Sequence, residues 1–300
     1  MNSKARRPFE GVIPAVVTPF SSSGEVEERL LVRQAEYLCE HSVHGLFVGG
    51  TTAEGPYLTE EERATVFRLI KRISGGGQTL YLAILRPHTQ QVIDEMKRAE
   101  ELEPDYIAAV PPFYYGVTQR SIIDHFVAVA EIAAAPVVLY NIPQNTYNPM
   151  TLDTILELSR HPNIAGIKDS SGAFITFTHG LLHNFDDFAW IQGEDLLDAP
   201  SLLFGAPGLV TGLGNVSIEP YVTMYRAAQE GDIEMLRSCQ RAVNRLAGII
   251  EAADGAGVPA IKAATALLGR GSERMRVSSM TLGRAQLEAI RAVLAREGLL

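Results

Sequence analysis

The sequence predicts an α/β fold: a (β/α)8 barrel of the TIM type with a C-terminal extension of three helices. Three observations lead there. Eight short, apolar, β-rich runs recur along the chain. Between them the apolar residues fall three or four apart, the period of a helix with one buried face. Beyond about residue 230 the strand signal stops and only helical periodicity remains. Eight βα units are the number that closes a barrel. A doubly wound open sheet is the rival, because periodicity carries no information on closure.

The runs lie at residues 12–17, 45–48, 80–85, 106–110, 137–142, 164–168, 188–192 and 208–211. They read as nearly continuous apolar stretches, as expected of parallel strands covered outside by helices. After the second run, Thr59 and Glu62 form a capping-box signature, and Val66, Leu69, Ile70 and Ile73 then share one helical face. Ile122, Phe126 and Val129 repeat this logic after Gln119. Gly75, Gly76 and Gly77 read as a loop before the third run, not as a phosphate cradle. From Asp232 onward, residues 233–251, 259–268 and 281–296 read as helices, with Pro259 near a helix start. The expected division is a catalytic barrel, residues 1–230, with a helical extension, residues 231–300, packed on it.

Charge and composition exclude several classes of function. The 300 residues carry 26 basic and 35 acidic side chains, a formal charge of −9, which disfavours a nucleic-acid partner. The one basic run is the short segment of Lys4, Arg6 and Arg7. No apolar stretch approaches the roughly 20 residues of a membrane span. The first residues lack the pattern of a secretory signal. Cys39 and Cys239 fall in helical stretches and read as buried free thiols. A cytoplasmic protein without membrane contact is the expectation.

In a βα barrel the reacting groups stand just after the C-terminal ends of the strands. That rule selects Thr51 and Thr52 after the second run, Tyr114 and Tyr115 after the fourth, Tyr140 at the fifth and Lys168 at the sixth. Of five lysines, Lys71 and Lys97 sit beside arginines on polar helix faces, Lys4 is in the basic segment and Lys262 lies in a C-terminal helix. Only Lys168 ends an apolar strand with small neighbours. Desolvation at a barrel mouth favours a neutral amine able to attack a carbonyl. The residues alone leave a second role open, a structural lysine paired with Asp169, although alternation along a strand turns Asp169 to the other side. Thr51, Thr52 and Tyr140 likewise read either as a cap and a barrel-wall aromatic or as hydroxyls serving imine chemistry. His179 and His183 share a helix face without a third ligand, so no metal is expected. Gly212 and Gly214 lack the third glycine of a dinucleotide fingerprint.

With these residues in place, the sequence resembles the dihydrodipicolinate synthase/N-acetylneuraminate lyase family of class I, pyruvate-dependent aldolases. The resemblance spans nearly the whole chain. Its motifs are the Gly-Thr-Thr-x-Glu loop at residues 50–54, Tyr-Asn-x-Pro at 140–143 and Gly-Ile-Lys-Asp-Ser-Ser-Gly at 166–172. It implies that Lys168 forms a Schiff base with pyruvate or a 2-oxo acid and that Tyr140 shuttles protons. It also implies that Thr51 links Tyr140 to a Tyr114 from a neighbouring subunit. Thr52 and the Val210 backbone would hold the substrate carboxylate. No metal or organic cofactor is implied, since the lysine supplies the electron sink, and a homotetramer built as a dimer of dimers is expected.

Departures point to a branch. Asn145 stands where synthases of the family carry an arginine that grips a second carboxylate, and asparagine offers no bidentate cationic clamp. The sugar-binding Gly-x-Asp-Glu segment of the sialate lyases becomes Gly193, Glu194, Asp195 and Leu196. Ala53 replaces a glycine in the hydroxyl loop. The expected reaction is cleavage or formation of a 2-keto-3-deoxy sugar acid or similar 2-oxo acid, with Asn145, Gly193 and Asp195 on the acceptor side. Alternatives are a dihydrodipicolinate synthase, a related dehydratase, or a non-catalytic paralogue that binds an oxo acid.

Overall fold

The computed structural model describes residues 9–183 and 188–300; the basic segment at residues 4–7 lies outside them. Eight parallel strands run as β1 (Gly11–Pro14), β2 (Gly45–Val48), β3 (Thr79–Ile84), β4 (Tyr106–Ala109), β5 (Val137–Asn141), β6 (Ile164–Asp169), β7 (Ala189–Gln192) and β8 (Gly208–Thr211). Their order is β1-β8-β7-β6-β5-β4-β3-β2. The two ends of this order meet: His44 N donates to Val12 O and Val16 N to Phe47 O, both at 3.0 Å. The sheet therefore curls into a barrel, and the open doubly wound alternative is excluded.

Helices α1 (Glu28–Glu40), α2 (Glu60–Ser74), α3 (Thr89–Ala99), α4 (Gln119–Ile132), α5 (Pro143–Thr146), α6 (Leu152–Leu158), α7 (Phe174–Leu181), α8 (Asp198–Leu203) and α9 (Glu219–Glu230) fill the connections. The capping box before α2 forms as the sequence requires, with Glu62 N donating to Thr59 Oγ1 and Thr59 N to Glu62 Oε2. After α9 the described chain is helical: α10 (Ile233–Leu246), α11 (Gly248–Glu251), α12 (Gly257–Leu267) and α13 (Arg284–Arg296). The first of the three expected C-terminal helices is thus split before Gly248.

The continuous apolar runs are explained by two cores. Leu80, Leu82 and Ile84 point outward to the helices, whereas Tyr81, Ala83 and Leu85 point into the barrel. The same alternation puts Val138, Tyr140 and Ile142 inside and Val137 and Leu139 outside. Phe9 closes the floor of the barrel, its ring 5.3 Å from Tyr81 and 5.8 Å from Tyr106. Aromatic bulk therefore fills the lower barrel.

Candidate active site

Lys168 reaches the interior through a fault in the β5–β6 ladder. Val137 pairs with Ile164 but Val138 pairs with Gly166, so the register slips by one residue at Ala165. Such a bulge reverses the in-and-out parity of everything after it. Ala165 faces inward and Ile167 outward, and Lys168 then pairs with the inward Tyr140. Had the pairing run on unbroken through Ala165, Ile167 would stand opposite Tyr140 and Asp169, in place of Lys168, would share its side. Asp169 looks away, its Oδ1 accepting from Asn141 Nδ2 at 2.9 Å and Ser171 N at 3.0 Å. Burial raises the Asp169 carboxyl above its ordinary range, and the bonds from Ser171 and Asn141 act in the opposite sense.

Lys168 is 4% exposed, and its amine lies between two ring faces. Its Nζ stands 3.9 Å from the centre of the Tyr140 ring and 4.4 Å from that of Phe47. Tyr140 directs its hydroxyl to Thr51 Oγ1, 3.2 Å away. An amine, a phenol and an alcohol thus adjoin at the ends of β2, β5 and β6. Beside them, Gly193 keeps space: a Cβ there would stand 2.3 Å from Ser170 Oγ and 3.2 Å from Lys168 Cε.

The loop after β2 turns too tightly for side chains at several positions. A Cβ on Gly55 would stand 1.9 Å from Gly49 O, a backbone atom that cannot swing aside. Gly55→Ala is therefore expected to cost roughly 1–3 kcal/mol through overpacking. A chemical-denaturation midpoint equal to wild type would contradict this reading of the loop. Ala53 is accommodated, buried in the turn Thr51–Ala53, because the left-handed conformation falls on Glu54 (φ 55°). Thr52 Oγ1 and Asp195 Oδ2 flank Gly212; a Cβ there would lie 3.5 and 3.8 Å from them.

The other sequence-selected residues are placed as follows. Val210 is buried inside the barrel on β8. Asp195 turns its carboxylate into the structure: Oδ1 accepts from Thr211 Oγ1 and, at 2.7 Å, from Tyr221 Oη, while Oδ2 accepts from Gly212 N at 3.4 Å. Burial raises its carboxyl, opposed by these bonds. Its geometry braces the β7 and β8 ends. Asn145 is exposed on α5. Arg86 donates to Glu95 at 2.5 Å, and the exposed Arg120 pairs with Asp124 and Glu157. Tyr114 stands apart from Thr51, 81% exposed, at φ 82° and edge-on to Tyr115.

Several supporting residues gave no signal of function in the sequence. Phe47 forms the second ring face under Lys168. The buried Asn148 clamps the Tyr114 loop, donating to Pro112 O and Tyr115 O at 2.8 Å and accepting from Val117 N at 2.9 Å. Buried Arg63 donates to the carbonyls of Gly55 (3.0 Å), Leu58 (3.4 Å) and Ala83 (3.2 Å). In the chain, Asn148 lies three residues after Asn145, and Arg63 shares a helix face with the apolar Val66, Phe67 and Ile70.

Comparison with known proteins agrees with this arrangement. The model of the dihydrodipicolinate synthetase family matches residues 8–296. A 4-hydroxy-tetrahydrodipicolinate synthase of Moorella thermoacetica is 32% identical over 289 residues, 96% of this chain and 98% of that protein. A DapA-like lyase of Halobacterium salinarum is 31% identical over 97% of this chain and 95% of its own. The crystal structure of a dihydrodipicolinate synthase from Acinetobacter baumannii complexed with pyruvate superposes with a TM-score of 0.92 at 25% identity, covering 97% of this chain and 99% of that one. A family match along almost the entire length, on a barrel with a lysine buried at its mouth, leads to one conclusion: this chain belongs to the dihydrodipicolinate synthetase family of pyruvate-dependent lyases, class I aldolases that work through a lysine Schiff base.

Proposed function

We propose that this lyase cleaves or forms a 2-keto-3-deoxy sugar acid or a similar short 2-oxo acid, with Lys168 as the Schiff-base residue. The amine adds to the C2 carbonyl, water leaves, and the protonated imine accepts the electron pair of the C3–C4 bond. Tyr140 gives its phenol proton to the hydroxyl that leaves as water, the resulting phenolate takes the proton of the C4 hydroxyl as the aldehyde departs, and Thr51 holds the phenol oxygen in place. The enamine is protonated at C3, and water releases pyruvate and restores the amine. Thr52 and the Val210 backbone bind the substrate carboxylate, with Gly193 and Asn145 toward the acceptor and Asp195 bracing the strand ends behind them.

Two exposed apolar surfaces support a homotetramer in which Tyr114 reaches a neighbouring subunit's Thr51. One carries Tyr114 and Tyr115, and the other carries Ile175, Leu203 and Phe204 beside Phe174. A cytoplasmic location fits the acidic chain; no described helix is long and apolar enough to cross a membrane.

The observation that carries the choice of acceptor is Asn145 at the rim, with Arg86 and Arg120 each paired with acidic side chains. A second carboxylate would meet no cation there, whereas a polyol needs only neutral donors and acceptors. Condensation of pyruvate with aspartate semialdehyde is the second reading, favoured by the names of the relatives. Comparison of kcat/KM for the two reactions separates them. Wild type is expected to prefer sugar-acid cleavage, and Asn145→Arg to improve the condensation about 10- to 100-fold, the worth of one charged hydrogen-bonding partner. A wild-type preference for the semialdehyde, or no gain in the variant, supports the synthase instead.

A further inference from the structure

The hydroxyl loop is tied to a helix far away in sequence. Glu54, 4% exposed, follows the turn that carries Thr51 and Thr52, and its N–H donates to Thr51 O at 2.9 Å. Its Oε1 accepts from Lys262 Nζ of α12 at 2.5 Å and its Oε2 from Arg276 N at 2.9 Å. Lys262 is 1% exposed on its side chain and stands 4.2 Å from the centre of the Phe20 ring. The Arg276 guanidinium covers the same ring at 4.3 Å and donates to Glu62 at the start of α2. One residue along α12, Ile261 packs near Gly212 at the barrel mouth.

We propose that the Glu54–Lys262 ion pair is a positioning device that sets Thr51 and Thr52 against Tyr140 and the substrate carboxylate, making α12 part of the active site. The inference rests on the reading of Lys168 and Tyr140 given above. Three features support it beyond simple packing. A fully buried ion pair is a poor source of stability, since apolar side chains of similar volume serve as well. Glu54 adopts a left-handed conformation that a non-glycine residue resists, so something must hold it there. Arg63 holds the loop by the carbonyls of Gly55 and Leu58, whereas Glu54 is bonded directly to the turn that carries the threonines.

The test follows pyruvate alone, by exchange of its methyl protons in D2O and by borohydride trapping, in wild type, Lys262→Met and Lys262→Met/Glu54→Gln. Lys262→Met leaves a buried carboxylate unpaired and threatens folding; the double variant removes both charges and avoids that. In the double variant the melting temperature is expected to stay near wild type. Its exchange rate at saturating pyruvate should fall about 10- to 100-fold, the scale for small misplacements of a reacting group. Half-saturation should move to higher pyruvate, while the adduct still forms on Lys168. Wild-type exchange and half-saturation in a folded double variant, with only stability altered, would reduce the pair to packing. Failure of wild type to trap pyruvate on Lys168 would overturn the underlying reading, and this inference with it.

Discussion

Lys168→Ala is expected to reduce turnover to background while leaving a folded barrel. Among the described residues the side chain makes two ring-face contacts and no hydrogen bond to the wall, so its removal leaves a small space at the barrel mouth. Lys168→Arg should fail as completely, because a guanidinium stays protonated and offers no lone pair to a carbonyl. Circular dichroism and release of pyruvate from the 2-oxo acid read the two properties separately. Substantial turnover in either variant would move the chemistry to another group.

The second large effect concerns Tyr140. Tyr140→Phe keeps the ring beneath the Lys168 amine and removes only the hydroxyl bonded to Thr51. Adduct formation at saturating pyruvate is expected to survive, whereas cleavage should slow by roughly 10²–10⁴-fold, the usual weight of a general acid–base group. Equal loss in binding and rate would indicate that the phenol merely shapes the site. An unchanged rate would leave Tyr140 as a wall residue that happens to sit under the amine.

Much of the architecture was legible because it is local. The apolar runs, the helical period between them and the Thr59–Glu62 cap depend on residues within a turn or a strand of one another, and all appear in the structure. The strand-end rule also pointed to Lys168, Tyr140 and Thr51, which the fold brings together. What the sequence hid is long-range. The slip at Ala165 that turns Lys168 inward depends on the pairing of two strands, and no residue type announces it. Lys262 looked like an ordinary helix lysine because its partner, Glu54, lies 208 residues earlier. Asp195 sits in a motif that suggests sugar hydroxyls, while the partners of its carboxylate, Thr211 and Tyr221, lie in elements still to come in the chain. Tyr114 is the opposite case: it is exposed in the single chain, and the role proposed for it lies in a neighbouring subunit.

The most direct measurement of the central claim is the site of covalent capture. Wild-type protein is incubated with pyruvate, reduced with borohydride, digested and mapped by mass spectrometry. The geometry of a buried amine on two ring faces at the end of β6 predicts a single reduced adduct on Lys168, absent without pyruvate. An adduct on Lys262, which the structure ties to Glu54, or no adduct at saturating pyruvate, would contradict it.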